Sequence, residues 1–296
     1  MAQAQANGIT IEYESFGDDK AETIMLIMGL GTQLTGWPDA FCECLAGLGY
    51  RVIRFDNRDI GLSSHLEAEP TPNIPLLAGL RMLRFSPPVA YTLDDMGEDA
   101  IGLMDALGIE RAHLVGASMG GMIAQLVAAR CPQRTLSLTS IMSTTGNRAL
   151  PRADRHATRA LLMKPDDPLN PESVIARNVR VRKAVQSPAY PKSDDELHDA
   201  AARAFHRGGY DPAGVARQLA AVIVSGDRRR LLQAITVPSL VMHGDADPLV
   251  KLECGLDTAR HLPDSTLKVF AGMGHDFPQP LLQAMAEQIH HTASRA

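Results

Sequence analysis

Five residues, Gly116-Ala117-Ser118-Met119-Gly120, limit what this chain can fold into more than any other stretch. They fit the G-x-S-x-G pattern of a nucleophile elbow, and their surroundings suit one. An apolar run over 112–115 enters the turn and a helix-like run over 122–130 leaves it. A serine in such a turn is held in a strained backbone conformation, while strand and helix close to within a side chain's width. Gly116 and Gly120 are therefore the smallest possible flanks for Ser118. The geometry raises one hydroxyl clear of the sheet, where a base can reach it.

The rest of the sequence extends that unit. Short apolar runs alternate with helical patterns, the signature of a mostly parallel sheet wrapped by helices. An Asn7-Gly8 hairpin turn feeds a strand over 9–14. Further strands are predicted over 23–28, 51–56, 112–115, 136–142, 237–243 and 266–270, the last alternating as an edge strand does. Helices are predicted over 40–48, 93–107 and 121–130, and a final one opens at Pro280, a residue favoured at the first helical position. The stretch 146–227 breaks the alternation: it has no convincing strand and is dense in Arg, Ala and proline joints. Within it, Asp211-Pro212 starts a helix with Val215, Leu219, Val222 and Ile223 at helical spacing. The domain reading is a core over 1–145 and 228–296 interrupted by a helical cap over 146–227. A shorter insert over 64–90 lines the cleft or covers the sheet.

Composition excludes several classes. With 296 residues, 45% hydrophobic and 21% charged, the chain is an ordinary globular protein, one large domain or a domain with an insertion. A net charge of −5 disfavours nucleic acid and anionic membranes as partners. No apolar run is long enough to span a bilayer, and the first residues lack the basic and apolar regions of a signal peptide. Cys42, Cys44, Cys131 and Cys254 have neither framework nor C-x-x-C spacing. Together these point to a reduced, cytoplasmic protein.

A serine hydroxyl is a weak nucleophile at neutral pH and needs a base, which needs an orienting acid. On a sheet of this kind the partners follow in the order Ser, acid, His. After the strand ending at His243 comes Gly244-Asp245-Ala246-Asp247-Pro248, and after the strand ending at Phe270 comes a glycine-rich turn presenting His275. His275 is the candidate general base and acid. Asp245 and Asp247 are both within reach of it by spacing, and His243 is read as bonding backbone at its strand end. Two donors are expected for an oxyanion: the N–H of Met119 and the N–H of Leu30, in Met28-Gly29-Leu30-Gly31-Thr32. Trp37 is the packing anchor beside that loop. The loop Asp56-Asn57-Arg58-Asp59-Ile60-Gly61-Leu62-Ser63 reads as self-satisfied, with Arg58 held between its own acids. Arg152, Arg155 and Arg159 share one face of a possible helix and are read as solvated. The remaining histidines, including His290-His291, show no metal-ligand spacing, so no metal is expected.

With Ser118, His275 and the Met28-Gly29-Leu30-Gly31 loop placed, the chain resembles the α/β-hydrolase superfamily over nearly all of its length outside the cap. Its G-x-S-M-G-G elbow, D-x-R-x-x-G-x-S loop and H-G-x-x-D segment look like those of small serine esterases, most of all the aclacinomycin methylesterase-like branch. The resemblance implies an α/β fold: a mostly parallel eight-stranded sheet flanked by helices, with an inserted helical cap. It implies Asp247 as the acid, and hydrolysis of small or medium acyl or methyl esters through an acyl-enzyme, without a cofactor. The substrate would be a small-molecule ester. The family's usual His-Gly is Met28-Gly29 here, which leaves the backbone donor intact, and Ala117 replaces a larger residue and widens the floor beside the serine. A serine nucleophile disfavours haloalkane dehalogenase and epoxide hydrolase chemistry. Carbon–carbon bond hydrolysis, lactone hydrolysis and perhydrolysis use the same triad, and a non-catalytic ligand receptor could stand on the same scaffold.

Overall fold

The computed structural model describes residues 2–83, 85 and 87–296. Eight strands form one sheet: β1 (Ala2–Ala6), β2 (Ile9–Phe16), β3 (Thr23–Ile27), β4 (Arg51–Phe55), β5 (Ala112–Ala117), β6 (Thr135–Ile141), β7 (Ser239–Gly244) and β8 (Ser265–Phe270). Their spatial order is β1-β2-β4-β3-β5-β6-β7-β8. The β1/β2 and β2/β4 pairs are antiparallel, and every other pair is parallel. The fold expected from the resemblance is thus borne out. The hairpin turn read at Asn7-Gly8 calls for a strand before it, and β1 is that strand, although an Ala-Gln repeat has little strand preference. It pairs because Asn7 and Gly8 both take positive φ (47° and 78°), closing a two-residue turn that sets Ala6 against Ile9.

Helices cover both faces: α1 (Asp39–Gly47), α2 (Ile74–Met82), α3 (Leu93–Ala106), α4 (Met119–Arg130), α5 (Arg155–Leu161), α6 (Pro171–Val185), α7 (Asp194–Gly208), α8 (Pro212–Ser225), α9 (Arg229–Leu232), α10 (Leu252–His261) and α11 (Leu282–Ala293). Pro280 lies in a 3-10 turn, and the final α-helix begins two residues later than expected, at Leu282. Strand β3 is buried along its whole length, and alternate residues feed two cores. Met25 and Ile27 pack with Leu93, Met96, Leu103 and Ile123 of α3 and α4. Ile24 and Leu26 pack with Phe41, Leu45, Met285 and Ile289 of α1 and α11.

From β3 the chain moves outward to β4, then crosses back past β3 to β5. This reversal opens a crevice at the carboxyl ends of β3 and β5, the switch point where ligands bind in sheets of this type. Between β6 and β7 run five helices, α5 to α9. Their starts are locally encoded: Asn170 caps α6, Ser193 and Glu196 form a capping box on α7, and Asp211 caps α8. The face of α8 differs from its apolar stripe. Gly214, Arg217, Gln218, Ala220 and Ala221 are buried, while Val215, Leu219, Val222 and Ile223 are only half-buried. No helix among the described residues is long and apolar enough to cross a membrane, and all four cysteines are free thiols.

Candidate active site

The elbow is built as its glycines require. Ser118 stands between β5 and α4 at φ 54°, ψ −117°, a conformation that costs a non-glycine residue about 1–3 kcal/mol. The surroundings hold it there: Ser118 N–H donates to Ile141 O (2.9 Å) and Ser143 Oγ donates to Ser118 O (2.7 Å). A Cβ on Gly116 would sit 2.1 Å from Gly120 O, and one on Gly120 would sit 1.9 Å from Ile27 O. Any larger residue at either position pushes strand and helix apart.

Both expected oxyanion donors lie beside this serine. Met119 opens α4, so its N–H has no intrahelical partner. Gly29 lies so close that a Cβ there would be 3.7 Å from Ser118 Oγ, which brings the Leu30 loop against the hydroxyl. Among the described residues, neither the Leu30 nor the Met119 N–H is engaged by another group.

His275 and Asp247 follow β8 and β7 at the same edge of the sheet. His275 Nδ1 bonds Asp247 Oδ2 at 2.7 Å. The other carboxylate oxygen, Oδ1, accepts the N–H groups of Leu249 and Val250, each at 2.8 Å. Burial works to raise the pKa of Asp247, but the His275 ring and the Val250 N–H outweigh it and hold the carboxyl below its usual range. Asp245 takes no part in this pair; it is exposed and accepts the Gly272 N–H (2.6 Å). The Asp247–His275 contact is thus made, while Ser118 Oγ has no hydrogen-bond partner among the described residues. Trp37 is fully buried, 4.8 Å from the Phe277 ring, and packs α1 against the His275 loop.

His243 is 0% exposed; its Nε2 bonds Val250 O (2.7 Å). Burial holds it below the ordinary imidazole range, as it does the equally buried His113, despite Glu22 beside the latter. The raised pKa of His65, where Asp211 and Gly61 O overcome burial, works the other way on a single proton. Below pH about 6.5 the unfolded chain therefore takes up more protons than the folded one. This contribution to the unfolding free energy from urea titrations is expected to be fully present above pH about 7 and to fall as the pH drops from about 7 to 5.5. A value that stays level or rises there contradicts this assignment.

The 56–63 loop is self-satisfied only in part: the Leu62 N–H donates to Asp56 Oδ2 (2.9 Å) and Ser63 Oγ donates to Asp56 O (2.7 Å), but Arg58 is not held by the loop's own acids. Arg58 turns away from its neighbours and binds Asp99 of α3 (Nε–Oδ2 2.6 Å). Asp56 instead takes Arg207 of α7 (2.7 Å), and Asp59 takes Arg217 of α8 through both of its oxygens, each at 2.8 Å. Asp59 and Asp211 also approach His65, but Asp211 Oδ2 and Gly61 O occupy the two imidazole nitrogens and Arg217 occupies Asp59. These groups are neutralised by one another, which argues against a cation there. Of the three arginines, Arg152 precedes α5 and only Arg155 and Arg159 are helical; all three are exposed.

The model of the α/β hydrolase fold matches residues 22–278. The chain belongs to the α/β-hydrolase fold family. Among relatives of this hydrolase, rhodomycin D methylesterase from Streptomyces sp. (strain C5) is 26% identical over 302 residues, covering 95% of this chain and 94% of its own. The 3-oxoadipate enol-lactonase 2 of Acinetobacter baylyi is 28% identical, covering 89% of this chain and 86% of its own. The solved meta-cleavage product hydrolase from Pseudomonas fluorescens IP01 superposes with a TM-score of 0.76 at 18% identity, covering 99% of this chain and 97% of that one. The methylesterase-like resemblance carried by the motifs is thus met among the relatives, and these hydrolases span methyl-ester and lactone substrates.

Proposed function

We propose that this hydrolase cleaves carboxylic esters through an acyl-enzyme on Ser118, with residues 146–227 forming a cap over the site. The observation that carries the reading is the Asp247–His275 bond of 2.7 Å, formed at the sheet edge where the strained Ser118 turn stands. Asp247 keeps the ring proton on Nδ1, which leaves Nε2 free to accept the serine proton. Ser118 Oγ then attacks the ester carbonyl, and its proton passes to His275. The carbonyl electrons move to the oxygen, where the N–H groups of Leu30 and Met119 receive the charge. Collapse of that intermediate expels the alcohol, which takes the proton from His275, and leaves the acyl group on Ser118. Water activated by the same histidine releases the acid. Every proton transfer runs through groups of this chain, so the scheme calls for no cofactor.

The enol-lactonase relative keeps lactones in view as an alternative substrate for the same groups. Rates on p-nitrophenyl butyrate, a set of methyl esters, an enol-lactone and a vinylogous diketone separate the cases. The expected result is ester turnover that Ser118→Ala abolishes with the fold intact. Turnover of only the diketone or the lactone overturns the ester assignment. An active Ser118→Ala overturns the mechanism.

A further inference from the structure

The two loops expected to do the chemistry take much of their support from the cap. On the oxyanion side, the Gly31 N–H donates to Gln218 Oε1 (2.8 Å), and Gln218 Nε2 donates to Arg58 O (2.7 Å). Gln218 is 0% exposed and sits on α8 next to Arg217, whose ion pair with Asp59 ties that turn of the helix to the core. Gly31 has φ +62°, with Val215 of the same helix packed 3.2 Å from where a Cβ would stand. The Leu30–Gly31 peptide therefore cannot rotate without breaking a buried bond, and the neighbouring Gly29–Leu30 peptide carries the N–H offered to substrate.

On the base side, the straps come from residues 185–189. The His275 N–H donates to Val185 O (2.8 Å), the Gly274 N–H to Ser187 Oγ (2.8 Å), and the Ala189 N–H to Gly272 O (3.2 Å). Ser187, also 0% exposed, donates both its N–H and its Oγ–H to Asp276 Oδ1. One side chain thus fixes the residues on both sides of His275.

We propose that Gln218 and Ser187 are positioning residues: through them the docked cap aims the Leu30 N–H and the His275 ring at Ser118. The proposal rests on the esterase reading and adds to it, because the cap then sets the rate of the chemistry as well as the choice of substrate. Neither residue touches the reacting atoms. Each acts on alignment, where an error of about 1 Å can cost roughly 100-fold in rate.

The test measures kcat and KM separately for Gln218→Met, Gln218→Glu and Ser187→Ala on one p-nitrophenyl ester, with folded fraction and active-site concentration determined for each. Gln218→Met and Ser187→Ala are expected to lower kcat about 10- to 100-fold with KM within roughly threefold. For Gln218→Met, inhibition by an alkyl boronic acid, which forms a tetrahedral adduct on serine, weakens by a similar factor. Gln218→Glu supplies the readout that a purely structural role would not move. A protonated carboxyl accepts from Gly31 and donates to Arg58 O as the amide does, whereas the carboxylate cannot donate. The ratio of its kcat to native kcat should therefore approach one at low pH and fall as pH rises, an alkaline limb the native enzyme lacks. If Gln218→Met does not fold, the Gln218→Glu profile decides for that residue. Native kcat in Gln218→Met and Ser187→Ala, losses confined to KM, or a native pH profile for Gln218→Glu overturns the proposal. Any of these with an inactive Ser118→Ala leaves the esterase reading standing; an active Ser118→Ala removes the reading itself.

Discussion

Asp247→Asn is expected to lower kcat by about 10⁴-fold while the protein folds normally, the size seen when a triad loses its carboxylate but keeps its shape. The geometry says why the isosteric change is so damaging. Oδ1 of Asp247 accepts two backbone N–H groups, from Leu249 and Val250. In the asparagine variant those donors hold the amide oxygen on their side and turn the NH2 group toward His275 Nδ1. That nitrogen must then accept, so the ring proton moves to Nε2, where it blocks transfer from Ser118. Steady-state rates on an activated ester, with circular dichroism to confirm folding, check this. A variant within tenfold of native kcat would show that Asp247 does not set the tautomer.

The second large effect falls on stability. Arg228 is 2% exposed and, among the described residues, forms no ion pair with a carboxylate: it donates to Gln125 Oε1 (3.2 Å), Ser225 Oγ (2.9 Å), Gly226 O (3.2 Å) and Thr144 O (2.8 Å). Burial lowers its pKa to about 10, so it remains charged at neutral pH. These bonds join the two ends of the segment 146–227, near Thr144 and Gly226, to Gln125 of helix α4 behind the elbow. Arg228→Ala strands the buried Gln125 Oε1, removes the donor from three half-buried acceptors and leaves a void, and is expected to cost about 3–5 kcal/mol. In a chain of 296 residues that lowers the melting temperature by roughly 5–8 °C. A shift under about 2 °C in a calorimetric scan would show that water replaces the guanidinium at no cost.

The elbow was legible in the sequence because its constraint is local: two glycines bracket a serine, and their missing Cβ atoms are what let Gly120 O and Ile27 O approach. The choice between Asp245 and Asp247 was not settled by spacing, since both lie on one short loop. What separates them in space is that Asp247 is buried and folds its carboxylate back onto the turn after Pro248, whereas Asp245 faces solvent. The side-chain bond to a backbone N–H two residues on is a local device that an Asp-Pro step could have suggested. The buried face of α8 was not legible in the sequence, for the opposite reason. Hydrophobic periodicity points to Val215 and Leu219, but the helix buries Arg217 and Gln218, because Asp59, the Gly31 N–H and Arg58 O satisfy them. Arg217 and Asp59 are 158 residues apart, a separation at which one sequence gives no pairing signal. The same limit hid Ser187, whose partner Asp276 lies 89 residues away.

In the proposed reaction Ser118 carries the acyl group during turnover. The direct measurement is peptide mass spectrometry of enzyme quenched in acid during steady-state hydrolysis of p-nitrophenyl butyrate. A butyryl mass is expected on the peptide containing Ser118, present in the native enzyme and absent from Ser118→Ala. Full turnover with no adduct on that peptide, or an adduct on another residue that persists in Ser118→Ala, would contradict it.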